Sequence, residues 1–181
     1  MSELAIINGW TNVGSYAIIA SKERGNAMKC VTNDTITYIK RLAQDMTGLD
    51  SNCAVLAFML DLKIPVNLHG FEYLKAAILM QCENPTMDLV NDIYPAIAET
   101  HGDISGEMIA ASVRRTIKAA WDRGNLKLWH IYLPAATIYD KHPPTNAEVI
   151  AGLARILELW QGCSDAYLRQ QHKEVVSSGR N

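Results

Sequence analysis

Basic side chains recur along the segment 101–125, and they are the residues of this sequence best suited to bind an anion. Arg114, Arg115 and Lys118 lie within about one helical turn of each other if the segment is a helix. Arginine presents a planar fork of N–H donors that matches phosphates and guanine edges, and lysine supplies a compact positive charge. Such side chains are able to contact a polyanion such as double-stranded DNA. Solvated charge paired with neighbouring carboxylates is the alternative.

Residues that support catalysis or bind metals are scattered through the chain. The five histidines and four cysteines lack the short paired spacings that metal sites usually show. The sequence contains neither a Gly-x-Ser-x-Gly turn nor a phosphate-binding loop. We therefore expect no enzyme activity, no cofactor and no metal site.

The composition is that of a globular protein, with 181 residues, 49% of them hydrophobic and 20% charged. The formal net charge is −2. Residues 1–100 contain 7 basic and 11 acidic residues, whereas residues 101–181 contain 10 basic and 8 acidic residues. The slight basic excess lies in the half that contains the cationic segment. The amino terminus resembles no signal peptide and no long apolar run is present, so we expect a cytoplasmic protein without a membrane partner.

The cationic segment is predicted to be a single helix over residues 105–123. When residues are placed at 100° intervals, an apolar stripe runs along the face away from Lys118. The stripe consists of Ile109, Val113, Thr116, Ile117 and Ala120, with Trp121 at its edge. Asp103 or Ser105 can cap the first turn, and Gly124 is expected to adopt a left-handed conformation after the last one.

A second amphipathic segment precedes this helix at residues 85–100. Its apolar positions have helical spacing and are Leu89, Val90, Ile93, Ile97 and Ala98. A short link, His101-Gly102-Asp103, then turns the chain. Two helices joined by a short turn that contains glycine are typical of a helix-turn-helix. Helix hairpins also occur in proteins of many other functions, so this pattern alone leaves DNA binding open.

The amino-terminal residues are predicted to form a β-hairpin followed by a helix. The strands are expected at residues 5–7 and 16–20, with turn formers at Asn8-Gly9 and over 12–15. Thr32-Asn33-Asp34 can cap a helix over residues 35–46.

The remaining chain is predicted to be helical. The further helices are expected at 53–62, capped by Asp50 or Ser51 and with Val55, Leu56, Met59 and Leu60 apolar, and at 71–82, 126–132 and 146–161. Thr145 or Asn146 can cap the 146–161 helix, and Thr145 can form a capping box with Glu148. A loop with an extended stretch at 136–139 is expected before it, and another helix over 164–172 after it. We predict an N-terminal extension at 1–49, a domain at 50–162 and a tail at 163–181.

Several motifs keep their order and spacing over residues 50–160. They are Ile64-Pro65, Gly70-Phe71-x-Tyr73-Leu74-x-x-Ala77-Ile78, Tyr94-Pro95-x-Ile97-Ala98, Arg114 with Ile117-x-x-Ala120-Trp121-x-Arg123-Gly124-Asn125, and Pro144-Thr145-Asn146-x-Glu148. In these residues the chain resembles the C-terminal effector domain of the master sporulation response regulator of endospore-forming bacteria. The resemblance implies a mainly α fold, in which a helix-turn-helix effector domain consists of about six helices. The 85–100 helix would support the 105–123 helix in the major groove of a promoter box.

The resemblance and the helix pattern together predict a DNA-binding transcriptional regulator. The residues expected to contact double-stranded DNA are Ser105, Met108, Ala111, Arg114, Arg115, Lys118, Lys127 and Lys141. A homodimer on tandem boxes is compatible with this interpretation. The 49 residues ahead of the domain are too few for the receiver domain that the resemblance implies, so we expect a relative without it.

The first half of the 105–123 helix departs from the family pattern. The resemblance implies outward arginines and a glutamate there, whereas this chain has Met108, Ala110 and Ala111. Neither methionine nor alanine can form a bidentate contact with a guanine. The alternative function is therefore a protein-interaction module or inhibitor on the same fold, with weakened DNA readout and a protein partner.

Overall fold

The computed structural model describes residues 10–13, 16–19, 30–102, 104–134 and 142–178. This described part is mainly helical, as predicted, with three short strands and seven α-helices. The strands are β1 Trp10–Val13, β2 Tyr16–Ile19 and β3 Cys30–Thr32. The helices are α1 Asn33–Asp45, α2 Ser51–Asp61, α3 Gly70–Glu83, α4 Tyr94–His101, α5 Gly106–Arg123, α6 Leu126–Tyr132 and α7 Asn146–Ser178.

The three strands form an antiparallel sheet in the order β1-β2-β3. Strand β2 matches the strand predicted at 16–20, whereas the one predicted at 5–7 lies outside the described residues. The turn predicted over 12–15 is wrong for Asn12 and Val13, which belong to β1 and pair with Ala17 and Tyr16. Backbone pairing outweighs the turn preference of asparagine here, and the β-branched Val13 suits a strand.

Side-chain caps begin several helices where the sequence indicates them. Thr32 accepts a hydrogen bond from the Thr35 backbone N–H at 3.1 Å, and Asp50 accepts one from that of Cys53 at 2.8 Å. Glu148 accepts bonds from the backbone N–H and the hydroxyl of Thr145, and that hydroxyl accepts from the Glu148 N–H. The predicted capping box at the start of α7 is therefore confirmed.

Helix α7 runs without a break to Ser178, so the predicted end at residue 161 and the separate helix over 164–172 are wrong. Gly162 lies in the helix interior, where a lone glycine weakens a helix without ending it. Ser164 is buried, which shows that packing continues past the glycine. The extended stretch predicted at 136–139 lies outside the described residues.

The hydrophobic core lies between α3, α5 and α7, and α1 and α2 add to it. Trp129 and Trp160 are buried, and Trp121 is half-buried. In α2 the buried residues are Ala54, Val55, Phe58 and Met59, whereas two of the predicted apolar positions, Leu56 and Leu60, are 38% and 46% exposed. Because α2 is apolar on every side, periodicity alone could not identify its inner face.

Helix α1 shares this core although the predicted domain boundary separates it from α2. Its Ile39 and Ala43 are buried against the rest, and the Thr35 hydroxyl donates to the Ile131 carbonyl oxygen at 2.6 Å. The hydroxyls of Tyr38 and Tyr132 both donate to one Asp61 oxygen, at 2.6 and 2.9 Å. Burial and the nearby carboxylate raise the pKa of Tyr38 to about 12. The division at residue 49 remains a prediction.

Helices α3 and α5 are in close contact at Gly70. A Cβ on Gly70 would lie 2.4 Å from the Ser112 carbonyl oxygen and 2.4 Å from the Thr116 hydroxyl. Only glycine fits there, because the first obstacle is backbone of α5 and cannot rotate away. The contact sets how deeply α5 sits on the core.

We expect Gly70→Ala to lower the free energy of unfolding by about 1–3 kcal/mol, because the added methyl group forces the two helices apart. Gly162→Ala is the matched control. A Cβ at Gly162 meets no atom within 4 Å. This variant should gain up to about 1 kcal/mol from helix propensity. Urea denaturation of both variants measures the difference. Equal stability of the two variants would contradict the close approach.

Candidate nucleic-acid interface

Helix α4 begins later than the sequence indicates and starts from a π-helical turn, Leu89–Ile93. Asp88 caps this turn, since its Oδ1 accepts from the backbone N–H groups of Val90 and Asn91 at 2.9 and 2.8 Å. Of the predicted apolar positions, Ile93, Ile97 and Ala98 are buried, whereas Val90 is 69% exposed. A π-turn is wider than an α-turn, so it breaks the 3.6-residue period on which the prediction rested.

The link between α4 and α5 turns at Gly102, which has φ +79° and ψ −139°. This conformation is nearly restricted to glycine, because a Cβ would clash with the local backbone. Helix α5 then begins after Ser105, whose side chain accepts from the Met108 backbone N–H at 3.3 Å. One of the two predicted caps is confirmed, and the other, Asp103, lies outside the described residues.

One face of α5 is buried as predicted. Its buried residues include the expected stripe of Ile109, Val113, Thr116, Ile117 and Ala120. Trp121, at the edge of this stripe, packs edge-on against Trp129, with 5.6 Å between ring centroids. The apolar stripe therefore presses α5 onto the core and leaves its other face outward.

The helix does not end in the predicted left-handed conformation, because Gly124 is extended, with φ −82° and ψ 174°. Glycine is needed at this position for another reason. An added Cβ would lie 2.5 Å from the Ala120 carbonyl oxygen and 2.8 Å from the Trp129 Nε1 atom. The sequence showed that glycine matters here, but it could not show that space was the cause.

The outer face of α5 carries both of the predicted arginines. Arg114 and Arg115 are exposed, and neither forms an ion pair with any residue that the structure describes. Lys118 differs, because its Nζ lies 2.8 Å from an Asp122 oxygen. Both partners of that pair are more than half exposed, so the bond is weak and can be exchanged.

The other predicted contact residues are spread over a wider region. Met108 and Ala111 are exposed and follow the same face of α5 as Arg115, at helical spacing. Ser105 is exposed at the start of the helix. Lys127 is exposed in the first turn of α6, whose cap is Asn125. Lys141 lies outside the described residues.

One contact to α5 had no clear sign in the sequence. The Asn146 side chain, at the start of α7, donates from Nδ2 to the Ala110 carbonyl oxygen at 2.9 Å and to the Tyr94 hydroxyl at 3.0 Å. The sequence left Thr145 and Asn146 as alternative caps for α7. Since Thr145 and Glu148 complete the capping box, the Asn146 side chain is available for another helix.

The described ranges contain neither a metal-binding cluster nor a helix that could span a membrane. Across these ranges, no group of three or more His, Cys, Asp or Glu residues is arranged to hold a metal ion. Among the helices of the same ranges, none has the length and apolarity needed to cross a bilayer.

We expect Gly102→Ala to lower the free energy of unfolding by about 1–3 kcal/mol, because alanine must adopt a strained backbone conformation in the turn. Gly106→Ala is the control. A Cβ at Gly106 would lie 3.4 Å from the Tyr94 Cβ atom, an ordinary contact. This control should change stability by less than about 1 kcal/mol. Chemical denaturation measures both variants. A Gly102→Ala variant as stable as the native chain would show that the turn tolerates a side chain.

A comparison with protein families assigns the helical part of the chain. Residues 55–157, more than half of the chain, match the family described as "Sporulation initiation factor Spo0A C terminal". The match covers α3 to α6, most of α2 and the first turns of α7, and it confirms the resemblance inferred over residues 50–160. This is a family of DNA-binding domains from sporulation transcription factors. The chain, with its α4–α5 hairpin and outward arginines, belongs to the family of the sporulation initiation factor Spo0A C-terminal domain.

Proposed function

We propose that this chain is a transcriptional regulator that inserts α5 into the major groove of double-stranded DNA. The observation that supports this most directly is the exposure of Arg114 and Arg115 and their lack of an acidic partner among the described residues. Both are exposed on the second helix of the hairpin, and within the described ranges no carboxylate neutralises them. An arginine that is free on such a helix can form a bidentate contact with a guanine or grip a phosphate.

The dimensions of α5 suit this role. A helix with its side chains is about 10–12 Å across, and the major groove is about 12 Å wide. Helix α5 has 18 residues, which corresponds to a rod of about 27 Å. Helix α4 packs against α5 and would cross the backbone beside the groove. The exposed α5 side chains, from Met108 to Lys118, would then face the base edges.

Electrostatics would add modest and salt-sensitive affinity. Lys118 can exchange Asp122 for a phosphate, since an exposed ion pair contributes only about 0–1 kcal/mol. We assign Lys127 and Lys141 to the DNA backbone beside the groove. Ser105 caps the helix end where backbone N–H groups attract anions. Because the proposed interface has few basic side chains and the net charge of the chain is −2, DNA affinity would depend on well-placed contacts more than on overall charge.

A second function, binding to a partner protein, is favoured by one observation. Met108 is 49% exposed, and Ala111 beside it is exposed as well. Together they place an apolar patch at the part of α5 where the family resemblance implies charged readers. Exposed apolar patches commonly mark protein contacts. In this function the same helix would dock on a protein, and removal of the arginines would matter little.

We expect the double variant Arg114→Ala/Arg115→Ala to lose most of its affinity for duplex DNA. Each lost base contact lowers discrimination by about 1–3 kcal/mol, and each lost phosphate contact lowers the slope of log affinity against log salt by about 0.9. Electrophoretic mobility shifts with random and with selected duplexes, over a series of salt concentrations, measure both quantities. Selection from randomised duplexes supplies the preferred site.

The matched control is Arg169→Ala/Lys173→Ala. It removes the same two charges from exposed positions of α7, away from α5 in the sequence. This control should bind DNA as the native chain does. Equal binding by the arginine variant would refute the role of the two arginines, and no binding by the native chain at about 50 mM salt would refute the DNA-binding function. Capture of a protein partner by both the native chain and the arginine variant would support the second function.

A further inference from the structure

We infer that Asn146 is a positioning residue for α5, holding the outer face of that helix at a defined place relative to α4 and α7. The inference rests on the proposed function, because the face that Asn146 positions is the proposed DNA-reading face. Asn146 would touch no DNA itself and would act through the backbone of α5.

The Asn146 amide joins three helices at one point. Its Nδ2 donates to the Ala110 carbonyl oxygen of α5 and to the Tyr94 hydroxyl of α4, so both amide hydrogens are used. A peptide carbonyl has two lone pairs, and the Ala110 oxygen can accept this bond beside its helical bond from the Arg114 N–H. The start of α7 is therefore attached to the turn of α5 that leads to Arg114.

The orientation of the amide follows from its neighbours. The opposite orientation would place the Asn146 Oδ1 atom against the Ala110 carbonyl oxygen, where two acceptors would repel each other. In the observed orientation Oδ1 is buried and has no hydrogen-bond partner within the part of the chain that the structure describes. A buried unpaired acceptor is unfavourable. The two bonds that Nδ2 donates offset this cost, and the one to Ala110 gives α5 a directional contact.

Apolar packing does not supply this direction. Ile109 and Val113 are fully buried on the inner face of α5, but hydrophobic contacts constrain the position of a helix without fixing its direction. A hydrogen bond weakens steeply as its angle and distance change. The bond from Asn146 therefore resists both rotation of α5 and sliding along its axis. Contacts to base edges need such control, since functional groups must be held within about 0.5 Å of their working geometry.

Tyr94 is the second partner of Asn146 in this network. Burial raises the pKa of the Tyr94 hydroxyl, while the Asn146 bond and the charge of Arg114 act in the opposite direction. Tyr94 is nearly fully buried, and its Cβ is 3.4 Å from where a Cβ on Gly106 would lie. The first turns of α5 are consequently held from two sides, by Tyr94 and by Asn146.

The test uses the full chain with Asn146→Ala and, as its control, Thr145→Ala. The control weakens the α7 capping box but keeps both Asn146 bonds. We expect amide hydrogen exchange over residues 106–116 of free Asn146→Ala to become about tenfold faster, while Thr145→Ala leaves this segment unchanged. Tyr94→Phe removes one acceptor and should give an intermediate effect.

The second measurement compares affinity for a selected duplex with affinity for a randomised duplex at one salt concentration. For Asn146→Ala this ratio should fall about tenfold, while binding to the randomised duplex changes less than about twofold. The inference would be overturned if Asn146→Ala and Thr145→Ala had the same amide exchange rates and the same ratio of affinities for the two duplexes. This holds whether both variants match the native chain or both differ from it equally. If the native chain binds no duplex, the proposed function fails. The exchange rates then decide alone, since unchanged rates in Asn146→Ala refute the positioning role and faster rates support it.

Discussion

The close contact between α3 and α5 is the constraint on which the rest of the structure depends. Gly70 lets the α5 backbone come within van der Waals range of α3, with no space for a side chain between them. This close packing buries the full apolar stripe of α5. Because that face of the helix is buried, the opposite face projects outward. The Gly124 contact with Trp129 brings the end of the same helix close to α6.

Polar bonds add direction to this packing. Asp61 receives two tyrosine hydroxyls and thereby links α1 and α6 to α2, while Asn146 links α7 to α4 and α5. Hydrophobic burial supplies most of the favourable free energy of such a core. The hydrogen bonds select one arrangement of helices among the several that similar burial would allow. The hairpin of α4 and α5 is therefore supported both by packing and by specific contacts.

The sequence predicted the helices and caps well because these depend on local chemistry. Thr32, Asp50 and the Thr145–Glu148 pair satisfy free N–H groups within a few residues, so their patterns are visible along the chain. The exposed faces of Arg114 and Arg115 also follow from helical period. The misplaced features depend on distant atoms or on altered period. A Cβ at Gly124 is excluded by the Ala120 carbonyl oxygen and the Trp129 ring, Val90 is turned outward by a π-turn, and the Asn146 bond to Ala110 spans 36 residues.

The ion pair between Lys118 and Asp122 bears on how a duplex-binding surface discriminates. A cation already engaged by a neighbouring carboxylate adds less to the attraction for any stretch of phosphates. On a surface whose cations are partly paired with carboxylates, the affinity for DNA of any sequence is lower, while the contacts to particular bases keep their full strength. A genome offers a very large excess of incorrect sites. A protein with a weakly positive binding surface is therefore bound to those sites for a smaller fraction of the time.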